Sequence, residues 1–370
     1  MSVLRTPSRG PAVPVPPAAT LRAARTDGAT GPALRRLDLE IAAGERLVLL
    51  GPPGAGSSIV LDVLAGFIPL TSGQLLLDGR LVAEMPPHPR GIGLVLRNDG
   101  PLAHLTVAGT VGFAATARGG GREAAADILQ AFNLTGLARR RAGNLSPEQR
   151  VRTALARALA GRPRLVLLDD PFAALAAPAR DAVLDELLPA LAASGAAAVL
   201  ATTEPALALA FSERAAALED GRVVQTGPVQ TLYDAPANAA VARLLGEANC
   251  LPGRVTGVDG DVALVRLDCG LEVEADPAGA VAGRECLVFI RPGRIAVAAI
   301  TAEEMGQGAL PAVVTGLTWQ GDHVRLTLAI GTAAPATLVV TRPASASLAG
   351  FSPGRTAAVA WQGRHARVLS

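Results

Sequence analysis

Residues 51–58, G-P-P-G-A-G-S-S, have the types and spacing of a loop that grips phosphate. An all-apolar run at 47–50 precedes them and predicts a buried strand, and 59–64 is apolar enough to open a helix. In that setting glycines let backbone N–H groups close on phosphate oxygens, and the helix N-terminus adds a favourable dipole. The pattern G-x-x-x-x-G-K-[ST] is met at Gly51 and Gly56, with Gly54 between them, and Ser58 fills the hydroxyl slot that serves Mg²⁺. Ser57 stands in the lysine slot. Its hydroxyl is neutral and too short to balance phosphate charge as an ammonium does. A charge-assisted hydrogen bond is worth about 1.5–3 kcal/mol, so phosphate affinity and phosphoryl transfer are both expected to fall.

Further segments follow in a fixed order. I-G-L-V-L-R-N starts at Ile92 and H-L-T-V at His104. N-L-S-P-E-Q-R-V-R-T-A-L-A-R-A-L starts at Asn144, L-V-L-L-D-D-P at Leu165 and A-A-L-A at Ala173. L-A-T-T-E starts at Leu200, D-G-R-V-V-Q-T-G at Asp220 and Y-D-A-P-A-N at Tyr233. With the phosphate loop, these resemble the nucleotide-binding subunit of ABC transporters over about residues 21–245.

That resemblance implies an α/β P-loop ATP-binding cassette with ATP and Mg²⁺ as ligands. It assigns the phosphate cradle to Gly51, Gly54, Ala55, Gly56, Ser57 and Ser58, and Mg²⁺ to Ser58 and Asp169. Arg97 stands where the family has a glutamine that orders Mg²⁺ and the attacking water. It brings a cation there, read either as a solvated loop arginine or as a nucleotide-binding group that meets a phosphate. Asp170 fills the slot of the glutamate that polarises water, one methylene short, and a misplacement of about 1 Å costs roughly a hundredfold. Thr203 fills the slot of a histidine that contacts the γ-phosphate, but it cannot carry charge or relay a proton. Ser146 and Gln149 keep the signature segment that reaches a second subunit's nucleotide. Between them Pro147 and Glu148 replace two glycines: proline lacks an N–H, and Glu148 sets negative charge beside a phosphate. Ala176 replaces an aspartate. No aromatic precedes Phe67, so nothing near residues 23–28 stacks on adenine. The expectation is a maintained fold with relaxed hydrolysis and weak binding of both ATP and Mg²⁺.

The elements that must position these residues are legible in outline. At 370 residues the chain is long enough for two domains. A proline-rich tail is expected at 1–20, the cassette at 21–246 and a second domain at 247–370. All-apolar runs at 165–168 and 197–201 predict buried strands, and 124–132 and 151–159 predict helices. Only 3% of the chain is aromatic, so the cores must be built from Ala, Leu and Val. A net charge of +2 argues against nucleic acid as a partner. All 34 basic residues are arginines. A compositional bias that turns Lys into Arg does not explain a serine at 57. The three cysteines, Cys250, Cys269 and Cys286, form no C-x-x-C pair and read as reduced thiols. The uncharged stretch 187–203 contains Pro189 and Gly195, which predicts a helix end, a turn and a strand rather than a membrane span.

After Gly246 the pattern changes to short alternating segments divided by Gly, Asp and Pro, which predicts two small antiparallel β modules. This region resembles the all-β, oligonucleotide-binding-like (TOBE) regulatory domain of importer ATPases. E-A-N-C-L-P-G-R-V from Glu247, F-I-R-P-G-R-I-A-V from Phe289 and W-Q-G-D-H-V-R-L from Trp319 are most similar to polyamine importer subunits. Asp322 and His323 read as a surface turn pair. The implied partners are permease membrane subunits, a second cassette subunit (a like copy or a competent paralogue) and, indirectly, a periplasmic solute-binding protein. The implied location is the cytoplasmic face of the plasma membrane. Three readings stand: an importer subunit with impaired hydrolysis, a non-catalytic docking or regulatory protein, and an active ATPase with compensating residues.

Overall fold

The structure is a computed structural model that describes residues 15–28, 33–97, 100, 102–119, 121–300, 309–332 and 334–369. Most of the tail expected at 1–20 lies outside the described residues. The chain divides into two compact units, Met1–Gln230 and Thr231–Ser370.

In the first unit β1 (Ala19–Arg25) and β2 (Arg35–Ile41) form an antiparallel pair, and β3 (Arg46–Leu50) leads through the glycine loop into α1 (Ser57–Ala65). Strands β4 (Ser72–Leu77) and β5 (Arg80–Leu81) extend the first sheet, in the order β2-β1-β4-β5. Then come β6 (Ile92–Val95) and three helices that pack on one another, α2 (Val107–Thr116), α3 (Arg122–Ala131) and α4 (Pro147–Ala160). The unit continues with β7 (Leu165–Asp169), α5 (Ala177–Ser194), β8 (Ala197–Thr202), α6 (Pro205–Phe211), β9 (Arg214–Glu219) and β10 (Arg222–Pro228). The second sheet has the order β10-β9-β3-β8-β7-β6, parallel except for β10.

The two sheets differ in sequence because they differ in burial. In β2, Leu37, Leu39 and Ile41 face the core and alternate with exposed residues, as a one-sided sheet requires. In β3, β7 and β8, consecutive residues are buried on both faces, which is why those runs are wholly apolar. One core joins Leu21, Leu37 and Leu39 to Val60, Leu61 and Leu64 of α1 and to Leu47, Leu167 and Val199 of the parallel sheet. The stretch 187–203 is the end of α5, a turn at left-handed Gly195 and β8. No described helix is long and apolar enough to cross a membrane. Because β3, β6, β7 and β8 run parallel, their carboxyl ends emerge at one edge, where open α/β sheets place their ligands.

Helix α7 (Val229–Asp234) crosses the division, and α8 (Ala239–Leu244) belongs to the second unit. Ten strands follow: β11 (Asn249–Asp259), β12 (Val262–Leu267), β13 (Glu272–Ala275), β14 (Glu285–Ile290), β15 (Ala296–Ala299), β16 (Leu310–Trp319), β17 (His323–Ile330), β18 (Ala336–Pro343), β19 (Thr356–Ala360) and β20 (Ala366–Leu369). They form two antiparallel sheets, β13-β12-β11-β14-β20 and β15-β19-β16-β17-β18. The modules are not consecutive in sequence, as the alternation suggested. The chain exchanges one strand each way, since β15 pairs with β19 and β20 returns to β14. A single core explains the exchange: Leu251, Val265 and Val288 of one sheet pack with Val314, Leu328 and Val359 of the other.

Arg291 ties the helices at 231–246 to these sheets. It is 3% exposed, and its guanidinium donates to the carbonyls of Tyr233, Ala242, Gly246 and Glu247 at 2.9–3.2 Å. It also lies 4.1 Å from the centroid of the Tyr233 ring. Burial pushes its pKa down from the usual guanidinium range, with Tyr233 and Asp234 opposing. Arg291→Met should therefore destabilise the second unit by about 3 kcal/mol or more, since hydrogen bonds from charged groups are worth about 1.5–3 kcal/mol each. Arg291→Lys should restore only part of this, because an ammonium lacks the planar fork. Denaturant unfolding checks it, and a loss under about 0.5 kcal/mol, the scale of an ordinary surface change, would contradict it.

Candidate functional site

The glycine loop is held from behind. A Cβ on Gly51 would stand 2.6 Å from the Ala55 side chain and 3.0 Å from the Leu218 carbonyl oxygen. Gly56, which starts α1, has φ of +107°, a conformation that L side chains rarely adopt. Ala55 is buried: its N–H donates to the Pro52 carbonyl at 2.9 Å, and its own carbonyl accepts from the Gly221 N–H at 2.9 Å. Ala55 thus fixes the loop rather than lining the cavity. The first turn of α1 carries no acidic residue and no side-chain cap, so its opening N–H groups face the loop without an internal competitor.

A cavity of about 190 Å³ opens at the carboxyl edge of the parallel sheet. Gly51, Gly54, Ser57, Ser58, Arg97, Asp169, Asp170 and Thr203 all line it. Four separate loops, after β3, β6, β7 and β8, have therefore brought the expected residues together. Ser58 Oγ donates to Asp169 Oδ1 at 3.0 Å, an oxygen pair of the kind that holds Mg²⁺. The glycine loop, the open helix start and this pair fit a metal-bound phosphate. No aromatic side chain is among the lining residues, so none stacks on a base there.

The charges are less favourable. Among the described residues the lining holds two carboxylates and one guanidinium, and that guanidinium is engaged: Arg97 Nη2 lies 2.9 Å from Asp170 Oδ2. Arg97 is 60% exposed and Asp170 only 14%. Asp170 takes a left-handed φ of +44°, which aspartate tolerates better than most side chains, and its N–H donates to the Ala201 carbonyl. Burial pushes its carboxyl pKa up. Arg97 pulls it down, while Glu204 and Asp169 add to the rise. Glu204, paired with Arg180, was not singled out from sequence; its place just after β8 was the only signal.

Ser146 and Gln149 are not at this cavity. They form a capping box at the start of α4: Ser146 Oγ accepts from the Gln149 N–H at 3.3 Å, and Gln149 Oε1 accepts from the Ser146 N–H at 3.1 Å. Pro147 occupies the first helical position, where a missing N–H costs nothing, and Glu148 pairs with Arg152 at 2.7 Å. Ala176 is the N-cap of α5 and offers no side-chain acceptor there. In the second unit, His323 Nδ1 meets Asp322 Oδ1 at 2.6 Å and His323 Nε2 meets Gln320 Oε1 at 2.7 Å, on an exposed turn.

Both regions match known proteins. Residues 34–173 match the ABC transporter family model and residues 288–369 match the TOBE domain. A spermidine/putrescine import ATP-binding protein of Rubrobacter xylanophilus is 33% identical over 91% of this chain and 89% of its own length. An Fe(3+) ions import ATP-binding protein of Rhizobium etli is 34% identical over 79% of this chain and 82% of its own. The crystal structure of an ABC transporter's ATP-binding cassette in its ADP conformation aligns with a TM-score of 0.55 at 20% identity, covering 62% of this chain and 99% of that one. The last likeness shows the fold alone.

The raised pKa of Asp170 has a consequence for stability. A carboxyl whose folded value lies above its unfolded value favours folding while protonated, and this contribution is lost as pH rises through the folded value. Asp170→Asn should thus be more stable than the parent near pH 7, with the gain shrinking as pH falls to about 4, the ordinary carboxyl range. Paired thermal melts across that range test this. No gain at neutral pH, or one that grows on acidification, would contradict it.

Proposed function

This chain belongs to the ABC transporter family of ATP-binding proteins, and on that premise we propose that it is the nucleotide-binding subunit of an importer, of polyamine type, with weak ATP binding and impaired hydrolysis. The carrying observation is the charge of the phosphate cavity. Among the described lining residues the one cation, Arg97, is paired with Asp170, and the loop position that would offer a second cation is Ser57. In this reading Gly51, Gly54, Gly56 and the start of α1 hold phosphate, while Ser58 and Asp169 hold Mg²⁺. Bound Mg²⁺ supplies Lewis-acid charge at the phosphates. Asp170 stands where a carboxylate would orient water, but its charge is directed at Arg97. Thr203 offers a hydroxyl where a charged or proton-relaying group is needed. Polyamine cargo is favoured by relatives named for spermidine and putrescine import, while an iron-import relative of similar identity keeps the cargo class open to test.

A partner surface supports the membrane-associated part of the reading. An apolar cleft of about 740 Å³ lies between the end of α1, β6, α2 and α4. Of the seven phenylalanines, five are buried, and the two exposed ones, Phe67 (54%) and Phe113 (64%), both line this cleft with Leu102. An aromatic-poor chain that exposes two rings at one cleft has a partner for it. We assign the cleft to a cytoplasmic segment of a permease subunit, which places the chain peripherally at the inner face of the membrane, beside a second cassette and indirectly linked to a periplasmic binding protein. A docking protein without turnover would use the same cleft, and the Arg97–Asp170 pair favours that as the second reading.

Steady-state phosphate release with permease subunits present separates these outcomes. The unmodified chain should stay well below about 1 s⁻¹, the lower end of common enzyme turnover. Ser57→Lys alone should tighten ATP binding and add little turnover. Combining it with Asp170→Glu, Thr203→His, Pro147→Gly and Glu148→Gly should recover far more than the single changes suggest, because residues that act as one unit are not additive. Turnover of about 1 s⁻¹ or faster by the unmodified chain would overturn the impaired reading.

A further inference from the structure

We infer that Arg97 is the phosphate counter-ion of this site, a cation relocated from the glycine loop to the end of β6. The inference rests on the phosphate-site reading above. The chain contains no lysine, so only arginine can supply a permanent cation here, and Arg97 is the arginine lining the cavity. Two other arginines of the first unit are committed elsewhere. Arg90 donates to the carbonyls of Val63 and Leu64 at the end of α1, and Arg180 pairs with Glu204 and Asp181. Neither lines the cavity.

Arg97 has the chemistry for the task. A guanidinium presents five donors in a planar fork that suits carboxylate and phosphate alike. One amino group meets Asp170 at 2.9 Å, which leaves other donors for a second oxyanion. The side chain is 60% exposed, so turning it toward the glycine loop gives up little packing. Asp170 holds the guanidinium at the cavity mouth, and the polyphosphate of a nucleotide completes its coordination. The pair is thus a loaded cation rather than only a neutralised carboxylate.

Titration of the full chain with ATP in EDTA isolates the protein's own cations. Arg97→Gln, which restores the family's residue, should weaken ATP binding about tenfold or more, and Arg97→Lys should keep most of it. In a Ser57→Lys background the same Arg97→Gln change should cost less than about threefold, because the loop then carries its own cation. A change under about twofold in the parent would overturn the inference and leave Arg97 as a partner of Asp170 only. Equal losses in both backgrounds would also overturn it, since they mark a structural role. Binding by Ser57→Lys without any by the parent at millimolar ATP would sink the inference and leave the phosphate site standing. Binding by neither would sink the phosphate-site reading and the inference with it.

Discussion

Charge balance at the carboxyl edge of the parallel sheet governs the rest of this molecule. Four parallel strands deliver their loops to one edge, and Arg97, Asp169 and Asp170 line one small cavity there. Among the described residues two carboxylates arrive there, from Asp169 and Asp170, and one cation, from Arg97. A polyphosphate adds several more negative charges. The glycine loop carries Ser57 rather than a lysine, so on the proposed reading the balance rests on Mg²⁺ held by Ser58 and Asp169 and on a guanidinium already facing Asp170. Asp170 also has a left-handed backbone and a carboxyl pushed up by burial.

The scaffold around this edge is intact. Gly51 and Gly56 stand where a side chain would clash or strain, and Ala55 and Gly221 brace the loop from behind. The signature helix α4 is well formed, but its own substitutions serve the helix: Pro147 suits the first helical position, and Glu148 and Arg152 form a pair along the same face. Pro147 and Glu148 thus act within the helix, in the first helical position and in an i, i+4 ion pair.

Much of this was legible in the sequence. The apolar runs became β3, β7 and β8, because strands buried on both faces leave no room for polar residues. All ten alternating segments after residue 246 became strands, since a period of two has no other regular solution. Their grouping was not legible, because alternation marks a face but not a partner, and β15 and β20 changed sheets to close one core. The hold of Arg291 on the 231–246 segment was hidden too, since its carbonyl partners lie some fifty residues away in sequence. At the site, the slots identified Arg97 and Asp170 separately. Their pairing depends on loops separated by some seventy residues, which no local pattern encodes.

Isothermal titration of the whole chain with Mg-ATP tests the charge-deficient site most directly. A dissociation constant weaker than about 100 µM is expected, from a phosphate loop without its lysine and a cavity without a stacking aromatic. A constant in the low micromolar range would contradict it and return Ser57 to the status of a harmless substitution.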